Sequence, residues 1–123
     1  MERTHGTWGD RTRIFKNSTC LVTTLELEPD QRCSWHYHKE SYNQFFVITG
    51  CLGVTTDKGY TTKLFPGQAF TVEPGVKHEF STFGSPTTIV EVAYVEYTEH
   101  DIHRERLGGA KHARNDEGTA TGV

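Results

Sequence analysis

A chain of 123 residues has room for one domain and one core, so its function must fit inside one compact unit or between copies of it. The formal net charge is -3 and the basic residues are spread along the chain, which offers no sustained positive face to a phosphate backbone and argues against nucleic acid as a partner. No run approaches the roughly 20 apolar residues of a membrane helix, and the opening Met1-Glu2-Arg3-Thr4-His5-Gly6 lacks the apolar core of a signal peptide. The expectation is a soluble, cytoplasmic protein with no membrane partner.

From about Arg11 to Thr98 the chain alternates short β-type runs with Gly, Pro and Asp, and shows almost no 3.6-residue apolar period. The clearest runs are residues 21–27, 45–48, 69–72 and 87–95, all rich in β-branched and aromatic side chains. Turns are expected at Pro29-Asp30, Thr49-Gly50, Asp57-Lys58-Gly59, Pro66-Gly67, Glu73-Pro74-Gly75 and Gly84-Ser85-Pro86. Strands so short and so evenly punctuated predict an all-β sandwich or barrel. Residues 99–107 tolerate one or two helical turns. After Gly108-Gly109 the chain turns small and polar, so residues 108–123 are expected to form a flexible tail behind a domain of residues 1–107.

Cys20, Cys33 and Cys51 are odd in number and lack C-x-x-C spacing, which argues against a disulfide framework or a thiolate zinc site. They read as reduced thiols packed as small hydrophobes.

The chemistry concentrates in the histidines. His36 and His38 lie in Ser34-Trp35-His36-Tyr37-His38, and on an extended strand residues i and i+2 project to one face. His78 follows the turn Pro74-Gly75-Val76-Lys77, which ends one strand and starts another, so the fold can bring it opposite the pair. Three neutral imidazoles suit zinc, iron, nickel or copper better than magnesium or calcium. A chance H-x-H on a surface strand is common, and the weight comes from the arrangement: His36 and His38, then Gly50 at a strand end, then Gly67, Pro74, Gly75 and His78.

That arrangement resembles the two motifs of the cupins, over roughly residues 8–104. The resemblance implies a double-stranded β-helix, a small jelly-roll barrel of one domain with metal ligands inside. Within the superfamily the chain looks most like the cupin domain of type II mannose-6-phosphate isomerases, which is also fused to mannose-1-phosphate guanylyltransferases. The cues are Trp8-Gly9, the run from Phe45 to Gly50, the run from Val72 to His78, Ile89-Val90-Glu91-Val92, and Glu99-His100-Asp101-Ile102-His103-Arg104. The family's metal-binding glutamate, seven residues before the motif glycine, falls on Asn43. The implied ligand set is therefore His36, His38 and His78 with Asn43 as a weak fourth, favoured over Glu40, around one divalent transition metal ion: zinc, iron, manganese or nickel. The second motif's usual terminal Asn is Thr82, and one residue is added between Gly67 and Pro74.

Alternation along barrel strands makes Phe45, Val47, Phe70, Val72, Phe80 and Tyr94 plausible cavity linings, with core packing as the ordinary role of each. Tyr37, Lys63 and Arg104 are candidate substrate contacts; Arg104 carries a guanidinium fork that suits phosphate. Tyr42 and Glu79 are further polar groups, and none of these identifies a catalytic base. Three functions compete: a metal-dependent isomerase or epimerase acting on a sugar or sugar phosphate, a three-histidine iron dioxygenase or lyase, and a non-enzymatic cupin that binds a small ligand. Edge-strand pairing, as in other cupins, leads to the expectation of a homodimer.

Overall fold

The computed structural model describes residues 1–95. They form nine strands: β1 (Glu2–Gly6), β2 (Gly9–Lys16), β3 (Cys20–Leu27), β4 (Tyr42–Thr49), β5 (Leu52–Thr56), β6 (Thr61–Leu64), β7 (Ala69–Val72), β8 (His78–Thr82) and β9 (Thr87–Tyr94). All pairings are antiparallel, in a six-stranded sheet of order β1-β2-β3-β9-β4-β7 and a three-stranded sheet of order β6-β5-β8. This is the expected all-β jelly roll, a double-stranded β-helix in one small domain. The expected helical turn at residues 99–107, the tail at 108–123 and Arg104 lie outside the described residues.

The core fills the space between the sheets. Leu25, Phe45, Val47 and Ile89 come from the large sheet, and Leu52, Val54 and Phe80 from the small one, each almost wholly buried. Burying such side chains stabilises by about 1.5–3 kcal/mol each. All three cysteines are free and half-buried. The Phe80 amide donates to Cys33 Sγ at 3.0 Å, and burial pushes that thiol up to about 11, as befits a packed and unreactive sulfur.

The strands begin earlier than the sequence pattern suggested. β1 and the start of β2 precede Arg11, and their charged residues hide the β signal because they pair across an edge. Arg3 reaches Asp10 at 2.5 Å, His5 meets the same carboxylate, and Arg13 reaches Glu2 at 3.3 Å. A second difference concerns the histidine pair. The segment carrying His36 and His38 is not a strand but an irregular stretch fixed by isolated bridges, Arg32 with Ser81 and His36 with His78. A third is the phase of β9. Asn43 stands opposite Ala93 and Phe45 opposite Glu91, so Ile89, Glu91 and Ala93 face inward. Tyr94 therefore faces outward, stacking on Tyr42 with ring centroids 5.3 Å apart, and is not a cavity lining.

Gly50 ends β4 with φ 84°, and a Cβ there would come within 2.5 Å of Pro86 O. Both the left-handed backbone and the close approach require glycine. Gly50→Ala is expected to cost about 2 kcal/mol of unfolding free energy, read by urea denaturation of the metal-free protein. An unchanged midpoint would show that the turn relaxes freely.

Candidate metal centre

The turn before β8 brings the three histidines together. His36 N–H donates to His78 O at 3.0 Å and His78 N–H to His36 O at 2.8 Å, while Gly75 N–H donates to His38 O at 2.7 Å. The two sequence motifs are thus laced to each other through the backbone. The rings lie 4.5 Å (His36 to His78), 5.0 Å (His36 to His38) and 5.6 Å (His38 to His78) apart between centroids. One nitrogen from each gathers within 4.8 Å of the others. Donors sharing one transition metal at roughly 2.1 Å sit about 3–3.5 Å apart, so small ring rotations complete the site.

Tautomers are set from behind. His36 Nδ1 donates to Ser34 O at 2.8 Å and His78 Nδ1 to Val76 O at 2.9 Å, which leaves both Nε2 lone pairs unprotonated. His78 is 0% exposed, and its Nε2 is buried without a hydrogen-bond partner among the described residues. An orphaned acceptor of this kind is costly unless something occupies the space in front of it. Burial lowers the His38 and His78 pKa values below the ordinary imidazole value, and the charge of His36 adds to this for both, with the Val76 carbonyl pulling His78 the other way. Both rings are thereby kept neutral, the form that binds metal. The residues present fit a divalent transition metal ion.

Those lowered values give a stability prediction. On acidification the unfolded chain takes up protons first, near about pH 6.5, so the metal-free protein should lose stability as pH falls through that value and on to the lower folded-state values. Glu91 titrates with the opposite sign, so Glu91→Gln is the background in which to measure it. A melting temperature that does not fall between about pH 7.5 and 5.5 in that background would contradict buried neutral histidines.

Asn43, 4% exposed, places Nδ2 3.4 Å from His38 Nε2 and 3.5 Å from Glu91 Oε2, and its Oδ1 is buried without a partner among the described residues. Glu40, the other candidate fourth ligand, is exposed. Tyr37, 48% exposed, lies between the two histidines of the motif. Lys63 is exposed on the face of β6 opposite buried Leu64, with Nζ over the Phe83 ring at 4.8 Å.

Glu91 was not among the sequence candidates for the site. Its carboxyl faces the interior beside Asn43, and burial raises its pKa above the ordinary carboxylate value, with His36, Arg11 and the Asn43 amide pulling it back. The sequence signal was weak because Thr88, Val90, Val92 and Tyr94 make the other face of β9 the more apolar one. A lone charge in such a run reads as outward-facing.

The cupin domain family model matches residues 23–93, and the chain belongs to that family. Among solved structures it is similar to KdgF from Halomonas sp., at 13% identity and TM-score 0.70 over 79% of this chain and 90% of that one. An RmlC-like cupin from Shewanella frigidimarina gives 19% identity and TM-score 0.67, over 80% and 87% of the two chains. The polyketide cyclase RemF from Streptomyces resistomycificus gives 23% and 0.64, over 73% and 67%. These likenesses show a shared fold. No curated protein matches the chain. Among the described residues, no helix is long and apolar enough to cross a membrane.

Proposed function

We propose that this cupin is a metal-dependent enzyme that moves a proton at a carbon beside a carbonyl of a sugar or sugar phosphate, as an isomerase or epimerase of the mannose-6-phosphate isomerase-like kind. The observation that carries the reading is Glu91: a half-buried carboxyl on the inward face of β9, 3.5 Å from the Asn43 amide, which is itself 3.4 Å from His38. A divalent ion on His36, His38 and His78 would supply Lewis acidity to a carbonyl or hydroxyl oxygen. Asn43 directs Nδ2 toward both Glu91 and His38, and serving as the weak fourth ligand through Oδ1 would take an amide flip that gives up the Glu91 contact. The family's carboxylate ligand being absent, the base has to come from elsewhere, and Glu91, whose pKa burial raises above the ordinary carboxylate value, suits the role. Tyr37 remains a candidate substrate contact in this reading, as does Arg104 beyond the described residues, whereas Lys63 points away from the interior on the outer face of β6.

The test is wash-in of deuterium from D2O into mannose 6-phosphate, fructose 6-phosphate and related aldoses and ketoses, followed by proton NMR with the zinc- and manganese-loaded protein. Metal-dependent exchange at one carbon is expected. Silence across the whole panel would sink the reading. A second reading, an iron dioxygenase or lyase, is favoured by the purely neutral donor set that Asn43 leaves; iron-dependent oxygen uptake would select it. Binding of a sugar with neither exchange nor oxygen uptake would select the ligand-binding module. A homodimer belongs to the same proposal, β1 and β7 being edges of the large sheet; light scattering should return twice the chain mass.

A further inference from the structure

Two arginines lie on the face of β2 that continues the core face of β3, Arg11 half-buried and Arg13 with its side chain 37% exposed. Arg11 stands opposite buried Leu25 on β3, and Arg13 opposite Thr23, which is 1% exposed. Inward cations are costly unless their donors are met. Yet the Nε of each is buried with no hydrogen-bond partner among the described residues. Arg13 turns one arm to Glu2 at the sheet edge, and Arg11 makes no ion pair among the described residues.

Their place in the register gives the pair a direction. Arg13, Thr23, Glu91 and Phe45 form one row across β2, β3, β9 and β4. At a strand spacing of about 4.8 Å, β2 lies about 10 Å from β9, with only the short Thr23 side chain between. Glu91 stands in that row between Thr23 and Phe45, and its Oε2 is 3.5 Å from the Asn43 amide, which in turn is 3.4 Å from His38, so the row leads from Arg13 toward the histidine cluster.

We propose that Arg11 and Arg13 form an oxyanion subsite that anchors the phosphate or carboxylate of a small substrate whose other end reaches the three-histidine centre. The inference rests on the proposed function in taking that centre as the working site. It narrows the substrate to an anionic one, a sugar phosphate or a sugar acid. Guanidinium forks bind such oxygens with paired, charge-assisted hydrogen bonds. An anchor at this distance would hold the reacting carbon against Glu91.

The probe is inorganic phosphate, titrated into the full chain after metal is stripped so that only the protein answers, with arginine Nε–H signals followed by nitrogen-15 NMR. Acetate in parallel distinguishes a carboxylate site from a phosphate site. Saturable shifts of both Nε–H signals are expected, with Arg11→Gln binding about tenfold more weakly and Arg11→Lys, which keeps the charge but loses the fork, also weakened. Saturable shifts from neither anion, or equal affinity in Arg11→Gln, would overturn the proposal and leave Arg11 as a counter-charge to Glu91. The wild-type titration decides even if a variant fails to fold. Metal retention is measured separately on the same proteins: its loss with phosphate binding intact would sink the metal-enzyme reading and leave the anion subsite standing.

Discussion

Glu91→Gln is expected to lower turnover by about 10²- to 10⁴-fold while leaving metal retention unchanged. The substitution keeps the shape of the side chain and removes only its ability to accept a proton, since Gln and Glu differ by an amide for a carboxylate. The Asn43 contact survives, because an amide oxygen accepts from Asn43 Nδ2 as the carboxylate oxygen does, at a present 3.5 Å. The metal-free variant should also be more stable than wild type near neutral pH. The raised Glu91 pKa means that the folded state resists ionisation, so its contribution is unfavourable above the unfolded value of about 4.5 and grows until the folded value is passed. Deuterium wash-in measures the first effect and thermal melting the second. Retained exchange would remove Glu91 from the chemistry, and a lower melting temperature would mean that its carboxylate is satisfied in the fold.

His38→Ala should weaken metal binding by about a hundredfold or more and leave the barrel folded. His38 is the ligand to remove because the fold leans on it least. Among the described residues its side chain makes one hydrogen bond, the long contact to Asn43, whereas His78 is wholly buried and tied to Val76. The core residues Phe45, Leu52 and Ile89 are untouched by the change. Circular dichroism and elemental analysis of the same sample give both readouts. Global unfolding would mean that the centre is structural, and full metal content would mean that the ion, if any, sits elsewhere.

Local signals made much of the fold legible. β7 matches the expected run at residues 69–72, and β3, β4 and β9 are recovered with small differences at their ends, because β-branched and aromatic residues concentrate there. Gly50 and the Pro74-Gly75 turn were legible as glycines and prolines that the backbone needs. The three histidines were legible because two short motifs carry them, although the H-x-H segment turned out to be held by bridges and not by a ladder. What escaped the sequence is charge pointing inward. Arg11 and Glu91 break the rule that polar residues face water, and Tyr94 was placed inside by the same rule. Sites of function are where such violations are expected, since a barrel that binds a polar substrate must line part of its interior with polar groups. β1 and early β2 were missed for a related reason, their charges being paired across a sheet edge.

The most direct test of the account is elemental analysis of protein purified without an affinity tag or added metal, followed by titration of the stripped protein with zinc, manganese and iron(II). Close to one transition metal ion per chain is expected, with saturable rebinding that His38→Ala weakens by about a hundredfold or more. A protein that retains no metal and rebinds none of the three would contradict the claim that His36, His38 and His78 form a metal centre.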